Sequence, residues 1–256
     1  MTEGNVLPGS NPEEPVNETV RVEAFSDAVF AIAITLLGLE LKVPHLNPVT
    51  AEGFWRGILA LWPSYVAFVT SFATILIMWI NHHGILKQTR RTDTAFMMAN
   101  GLLLMLITAV PFSTACLANF LTTPAAQMAA GLYAGTFALI NIAYLLLWLA
   151  SAHHKRLLHA HISERHARRI TRTLLAALPL YLMAMGVAVA NPYASVVLCA
   201  ALLPVWAVIS YDYRPPPETV KSGPRRIRIG PWHRPPPGPA PPEPATEPDA
   251  LPPAAS

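Results

Sequence analysis

Charge is scarce in this chain: 13% of its 256 residues are Asp, Glu, Lys or Arg, while 53% are apolar. Soluble domains carry about a quarter of charged residues, so the one or two soluble domains that the length allows are excluded, and lipid is the expected solvent. Cysteine is nearly absent as well. The two present, Cys116 and Cys199, both lie inside apolar runs and are too few and too isolated for a disulfide framework or a zinc site. A net charge of +3 does not point to nucleic acid, because the cations are gathered between apolar runs rather than spread over one domain. No small-residue cleavage site follows the first apolar run, so that run is expected to remain as a helix.

What the chain does have is long apolar runs. An α-helix needs roughly 17–25 mainly apolar residues to cross the hydrocarbon core. Six stretches qualify: Val20–Val43, Ile58–Leu86, Thr94–Leu121, Ala125–Ala152, Leu174–Ala190 and Tyr193–Tyr211. Their length excludes buried strands, and bilayers admit only helices or closed barrels. The expected fold is therefore all-α and integral to the membrane, with six transmembrane helices per subunit. Pro63, Pro111, Pro179 and Pro204 fall inside the runs, where membrane helices accommodate proline, commonly as kinks.

Orientation follows from the cations. Lys87, Arg90 and Arg91 follow the second run, and Lys155, Arg156, Arg165, Arg168, Arg169 and Arg172 follow the fourth. Arg214, Lys221, Arg225, Arg226, Arg228 and Arg234 follow the sixth, and Arg21 opens the first. The other side carries only Lys42 and Arg56. That asymmetry places both termini in the cytoplasm. Three segments are expected: a disordered N-terminus over 1–19, a membrane domain over 20–211, and a disordered tail over 212–256. Proline runs at 215–217 and 235–237 prevent the tail from building a core.

The first run is the informative one. Asp27 lies roughly 10 Å along the helix from Arg21 at 1.5 Å per residue. A carboxylate near mid-bilayer costs about 2.5–3.5 kcal/mol even on the lenient insertion scale. It needs a partner or a task. At 100° per residue, Phe25, Val29, Ile32, Leu36 and Leu39 form a narrow stripe flanked by Ala28 and Thr35, with Asp27 on the opposite side. The stripe has two readings: it lines something, or it packs on a helix or lipid. Ser26 and Asp27, the Trp79–His83 group ending the second run, and Asn100 in the third all fall at one depth. This predicts a hydrogen-bonded knot around Asp27, with His83 either joining it or facing the headgroups.

The pattern Arg21-x-x-x-Phe25-Ser26-Asp27 opening a first membrane helix resembles the signature of the transmembrane protein 175 family of potassium channels. "WINHH" on the second run, and Asn100 with Pro111-Phe112 on the third, extend the resemblance across Val20–Tyr211. It implies a potassium-selective channel of the plasma membrane, with one six-helix unit per chain assembled as a homotetramer around a pore lined by the first helix. Carried over by position, Ile32, Leu36 and Leu39 are the apolar constriction and Thr35 a hydroxyl ring beside it. Arg21, Phe25, Ser26, Asp27, Trp79, His82, His83 and Asn100 are the network that holds the first helix. Arg21 projects toward the stripe and would repel cations unless Glu23 or Asp27 neutralises it. The sequence has no Thr-Val-Gly-Tyr-Gly filter loop. An apolar neck instead gates by dewetting, and potassium, which sheds water more easily than sodium, would find part of its shell replaced by Thr35 hydroxyls.

The resemblance implies potassium ions and the bilayer as partners, with no cofactor, no bound metal, no nucleic acid and no enzymatic activity. The alternative function is a proton-coupled secondary transporter relaying protons through Asp27 and His82 or His83. The repeated halves and broken helices usual in transporters are not evident. A metalloenzyme using His82, His83, His153, His154, His159, His161 and His166 is a further rival. No pair of these has i, i+4 spacing beside a carboxylate on one face.

Overall fold

The computed structural model describes residues 16–46, 49–152, 157–159 and 162–211. The expected tail over 212–256, most of the segment 1–19, and His153, His154 and His161 lie outside them.

Each apolar run becomes helix. The first is α1 (Val16–Leu37), closed by a short 3-10 turn, Gly38–Glu40. The second is α3 (Trp62–Gln88), the third is shared by α4 (Thr94–Thr108) and α5 (Val110–Phe120), the fourth is α6 (Ala126–Ala152), the fifth α7 (Glu164–Ala190) and the sixth α8 (Pro192–Tyr211). Among the described residues five spans are long and apolar enough to cross a membrane by themselves, α4 and α5 counting as one, and α8 supplies a shorter apolar stretch over Pro192–Pro204.

The first run, expected over Val20–Val43, is helix from Val16 and ends at Glu40 with the 3-10 turn. Three other boundaries differ for a local reason. The second run starts four residues late, at Trp62, because Pro63 occupies the opening turn of α3, where its missing N–H is no loss. The residues before it form a separate helix, α2 (Ala51–Ala60), capped by Thr50, whose hydroxyl accepts from Gly53 N at 3.0 Å. The third run is broken at Ala109, two residues before Pro111, which cannot donate to the preceding turn. The fifth helix begins ten residues early. Ser163 caps α7 by accepting from His166 N at 3.2 Å, so helix forms before hydrophobicity does.

The bundle is organised around α6. Of its apolar window, 61% is buried, against 28% for α1 and for α7, so α6 is central and those two are peripheral. It packs against α4, α5, α7 and α8. Ala126, Ala130, Ala134 and Ala138 recur every fourth residue along α6 and are all buried, as are Ala177, Ala184 and Ala188 on α7. Small residues let two backbones approach closely, which is how helices associate where lipid removes the hydrophobic drive. Where α6 and α7 meet, a Cβ added at Gly135 would come within 3.4 Å of Met185 Sδ.

A chain of hydroxyls pins α6 to its neighbours. Thr114 donates to Val110 O (2.8 Å), so its oxygen accepts from Ser71 (2.8 Å), and Ser71 accepts from Tyr133 (2.9 Å). The chain crosses from α6 through α3 to α5, and every member is buried. Tyr144 of α6 also donates to Met78 O at 2.6 Å.

At one end of the bundle the segment after α3 meets the segment before α7. Thr89 and Leu158 form an antiparallel bridge, and His159 N donates to Gln88 O at 3.0 Å. Lys87, Arg90 and Arg91 therefore share an end with the arginines that open α7.

Candidate functional site

Helix α1 has two unlike faces. Val22, Ser26, Phe30, Ala33 and Leu37 are buried, at spacings of three and four that make one stripe against α3, α4 and α5. Arg21, Phe25, Ala28, Ile32, Thr35, Leu36 and Leu39 are exposed on the other side. Ile32 is 57% and Leu39 73% exposed within the single chain, so among the described residues nothing covers these positions of the stripe. Thr35 donates its hydroxyl proton back to Ile32 O at 2.9 Å, leaving the oxygen lone pairs free to accept.

The polar face is tied down at three points. Trp79 Nε1 donates to Asp27 Oδ1 at 2.8 Å, and His83 Nδ1 lies 2.6 Å from Glu23 Oε1. Glu23 and Asp27 are four residues apart on α1, as Trp79 and His83 are on α3. The helices run antiparallel, so the first residue of one pair meets the last of the other. The indole and imidazole are themselves stacked, with centroids 6.0 Å apart and an interplanar angle of 22°.

The third tie is a directed chain. Ser26 Oγ donates to Val22 O at 2.8 Å, so its lone pairs accept from Asn100 Nδ2 at 3.1 Å. The carboxamide oxygen of Asn100 then faces His82 Nε2 at 2.8 Å, and that nitrogen must carry the proton. This sets neutral His82 as the Nε2–H tautomer. Among the described residues its Nδ1 has no hydrogen-bond partner, and the ring is fully buried beneath Phe30, centroids 5.3 Å apart. The chain links α3 to α1 through α4.

The expected knot thus exists as neighbouring pieces rather than one. Asp27 is bonded to Trp79 and does not join the His82–Asn100–Ser26 chain; Ser26 is the member of α1 on which that chain ends. His83 faces Glu23 rather than only headgroups. Phe25 and Arg21 stand apart, both on the exposed face; of the two carboxylates considered as neutralising Arg21, Asp27 accepts from Trp79 and Glu23 lies against His83. Sequence reasoning missed the Glu23–His83 pair and the Tyr133–Ser71–Thr114 chain. The first had a signal, since two carboxylates at i, i+4 on α1 match an indole and an imidazole at i, i+4 on α3. The hydroxyls had none, because Ser, Thr and Tyr are unremarkable in any membrane helix.

Residues 21–111, from α1 through the start of α5, match the family described as endosomal/lysosomal potassium channel TMEM175. A protein of Chamaesiphon minutus named a potassium channel is 48% identical over 199 residues, covering 78% of this chain and 97% of its own. A second potassium channel, from Streptomyces collinus, is 47% identical over 134 residues, 52% of this chain and 64% of that one. The crystal structure of a lysosomal potassium-selective channel TMEM175 homolog from Chamaesiphon minutus superimposes with a TM-score of 0.67 at 47% identity, covering 75% of this chain and 98% of that chain. The relatives are named as channels rather than enzymes, and with nearly the whole of one matched at this identity the chain belongs to the TMEM175 family.

Proposed function

We propose that this membrane protein is a subunit of a potassium-selective channel, in which four copies surround a pore lined by α1. The observation that carries the reading is the division of α1 into an anchored polar face and an uncovered apolar stripe. A stripe that merely faced lipid would need no such rotational control. Two hydrogen bonds to α3 and α4, with the Glu23–His83 contact beside them, hold the azimuth of α1, so that Ile32, Leu36 and Leu39 share one direction. Repeated around a four-fold axis, they make a narrow apolar neck that holds no continuous water column and gates by dewetting.

Thr35 lies on the same face. With its proton committed to Ile32 O, its oxygen offers lone pairs to an ion that has lost part of its hydration shell. Potassium gives up water more readily than sodium, which favours it at such a neck. Arg21, at the inner mouth, is not neutralised by the carboxylates beside it and sets a barrier to cations that the remaining lumen must offset.

In this reading residues 20–211 form the channel and the segments 1–19 and 212–256 lie outside it. The cation-rich end of the bundle faces the cytoplasm and the channel resides in the plasma membrane, with both termini inside. The test is ion flux through purified protein in liposomes, comparing potassium with sodium. Potassium flux that exceeds sodium flux, without saturating and without a proton gradient, supports the pore. Flux that saturates and stops when the proton gradient is collapsed belongs to the transporter alternative through Asp27 and His82 or His83.

A further inference from the structure

The first turns of α7 concentrate positive charge in an unfavourable place. Arg165, Arg168, Arg169 and Arg172 follow the spacing i, i+3, i+4, i+7 and so share one helix face. All four are exposed, and with Thr173 and Ala176 they line a groove along the helix. Like charges at these spacings repel, and cations near a helix N-terminus oppose its dipole. Glu164 reaches Arg168 at 4.0 Å, with both side chains largely exposed. An anion along this face would relieve both penalties.

The position of the groove indicates which anion. Followed along α7, the arginine face runs directly into exposed Leu175, Ala176, Leu180 and Met183. The opposite face, with Leu174, Ala177 and Tyr181, is buried against the bundle. The exposed surface therefore changes from guanidinium to hydrocarbon within one turn, as the surroundings do between headgroups and acyl chains. Arg165 to Arg172 spans about 10 Å at the rise of an α-helix, comparable to a headgroup layer. Guanidinium is also the side chain suited to bidentate phosphate recognition.

We propose that this groove is a binding site for the phosphate of an anionic phospholipid, whose acyl chains lie along the apolar continuation of the same face. The site is separate from α1 and does not depend on which ion the channel passes.

The test uses the purified full-length protein and phosphatidylglycerol as the probe. In native mass spectrometry the wild type is expected to retain phosphatidylglycerol in preference to phosphatidylcholine. The triple substitution Arg165→Lys, Arg168→Lys, Arg172→Lys keeps the charge that sets topology and helix docking but removes the fork. It should lower retention several-fold. Changing the same three residues to Gln should lower it by about tenfold or more, given the contribution of each cation near an anionic surface. Lys87→Gln with Arg91→Gln, at the same end but off the groove, should leave retention unchanged. Equal loss in that control, or full retention in the Lys variant, overturns the site in favour of diffuse charge. Stabilisation by inorganic phosphate equal to that by phosphatidylglycerol, read as a melting shift in detergent, overturns the lipid as its occupant.

Discussion

Trp79 donates its indole N–H to the carboxylate of Asp27 at 2.8 Å, across the α1–α3 seam. A charge that costs about 2.5–3.5 kcal/mol to place in the membrane on the lenient scale is thereby given a donor rather than a counter-ion. Asp27→Ala strands that part-buried N–H, for which the cost of a fully buried donor, about 1–3 kcal/mol, is an upper bound. The Ala variant should express or assemble poorly, read by size-exclusion chromatography, while Asp27→Asn should assemble but gate abnormally with its selectivity little changed. Trp79→Phe should not add to Asp27→Ala, since both remove one bond. Normal assembly of Asp27→Ala together with collapsed selectivity would show that Asp27 touches the ion.

The apolar stripe makes a separate claim. Ile32→Ala and Leu39→Ala remove bulk from positions exposed among the described residues, so folding should be spared. Each should widen the neck, raising single-channel conductance and lowering potassium-over-sodium selectivity. Recordings that leave both quantities unchanged would move the pore to another face.

The direction of the His82–Asn100–Ser26 chain is measurable. Nitrogen-15 NMR on labelled protein should find neutral His82 protonated at Nε2, as the Ser26 bond to Val22 O requires. Asn100→Leu leaves that N–H without an acceptor and should destabilise the subunit by about 1–3 kcal/mol. A signal from the Nδ1–H tautomer would reverse the assigned direction.

In the hydroxyl chain the middle member matters most. Ser71→Ala strands the Tyr133 hydroxyl inside the bundle, whereas Tyr133→Phe removes the donor itself and leaves Ser71 still bonded to Thr114. Thermal unfolding in detergent should show the Ser71→Ala loss to be the larger, because an orphaned buried donor costs more than a missing bond. Equal losses would mean that water reaches this level of the bundle.

The proposal that residues 20–211 form the channel predicts that deletion of residues 214–256 leaves folding, assembly and conduction intact. Loss of the oligomer on size-exclusion chromatography after truncation would assign the tail a role in assembly.

Hydropathy and charge are properties of the chain read along its length, so the sequence alone determined the number of apolar runs, their order and the cation-rich end. It also determined the stripe on α1, since a helix with 100° per residue places Phe25, Ile32 and Leu36 together whatever surrounds it, with Leu39 following in the 3-10 turn. The start of α7 was less legible. Hydrophobicity begins at Leu174, but the Ser163 cap begins the helix ten residues earlier, in turns that hydropathy does not register. Depth could likewise be read from position along each run, and it brought Asp27, His82 and Asn100 to one level. Pairing needs a second coordinate, the rotation of each helix about its own axis, and that is set by packing. The buried ladder of Val22, Ser26, Phe30, Ala33 and Leu37 turns Ser26 toward Asn100 and leaves Asp27, 100° further round, to meet Trp79. Only the tertiary structure could decide that, because hydrogen bonds are selected by angle and distance among side chains far apart in the chain, and no local pattern encodes the angle.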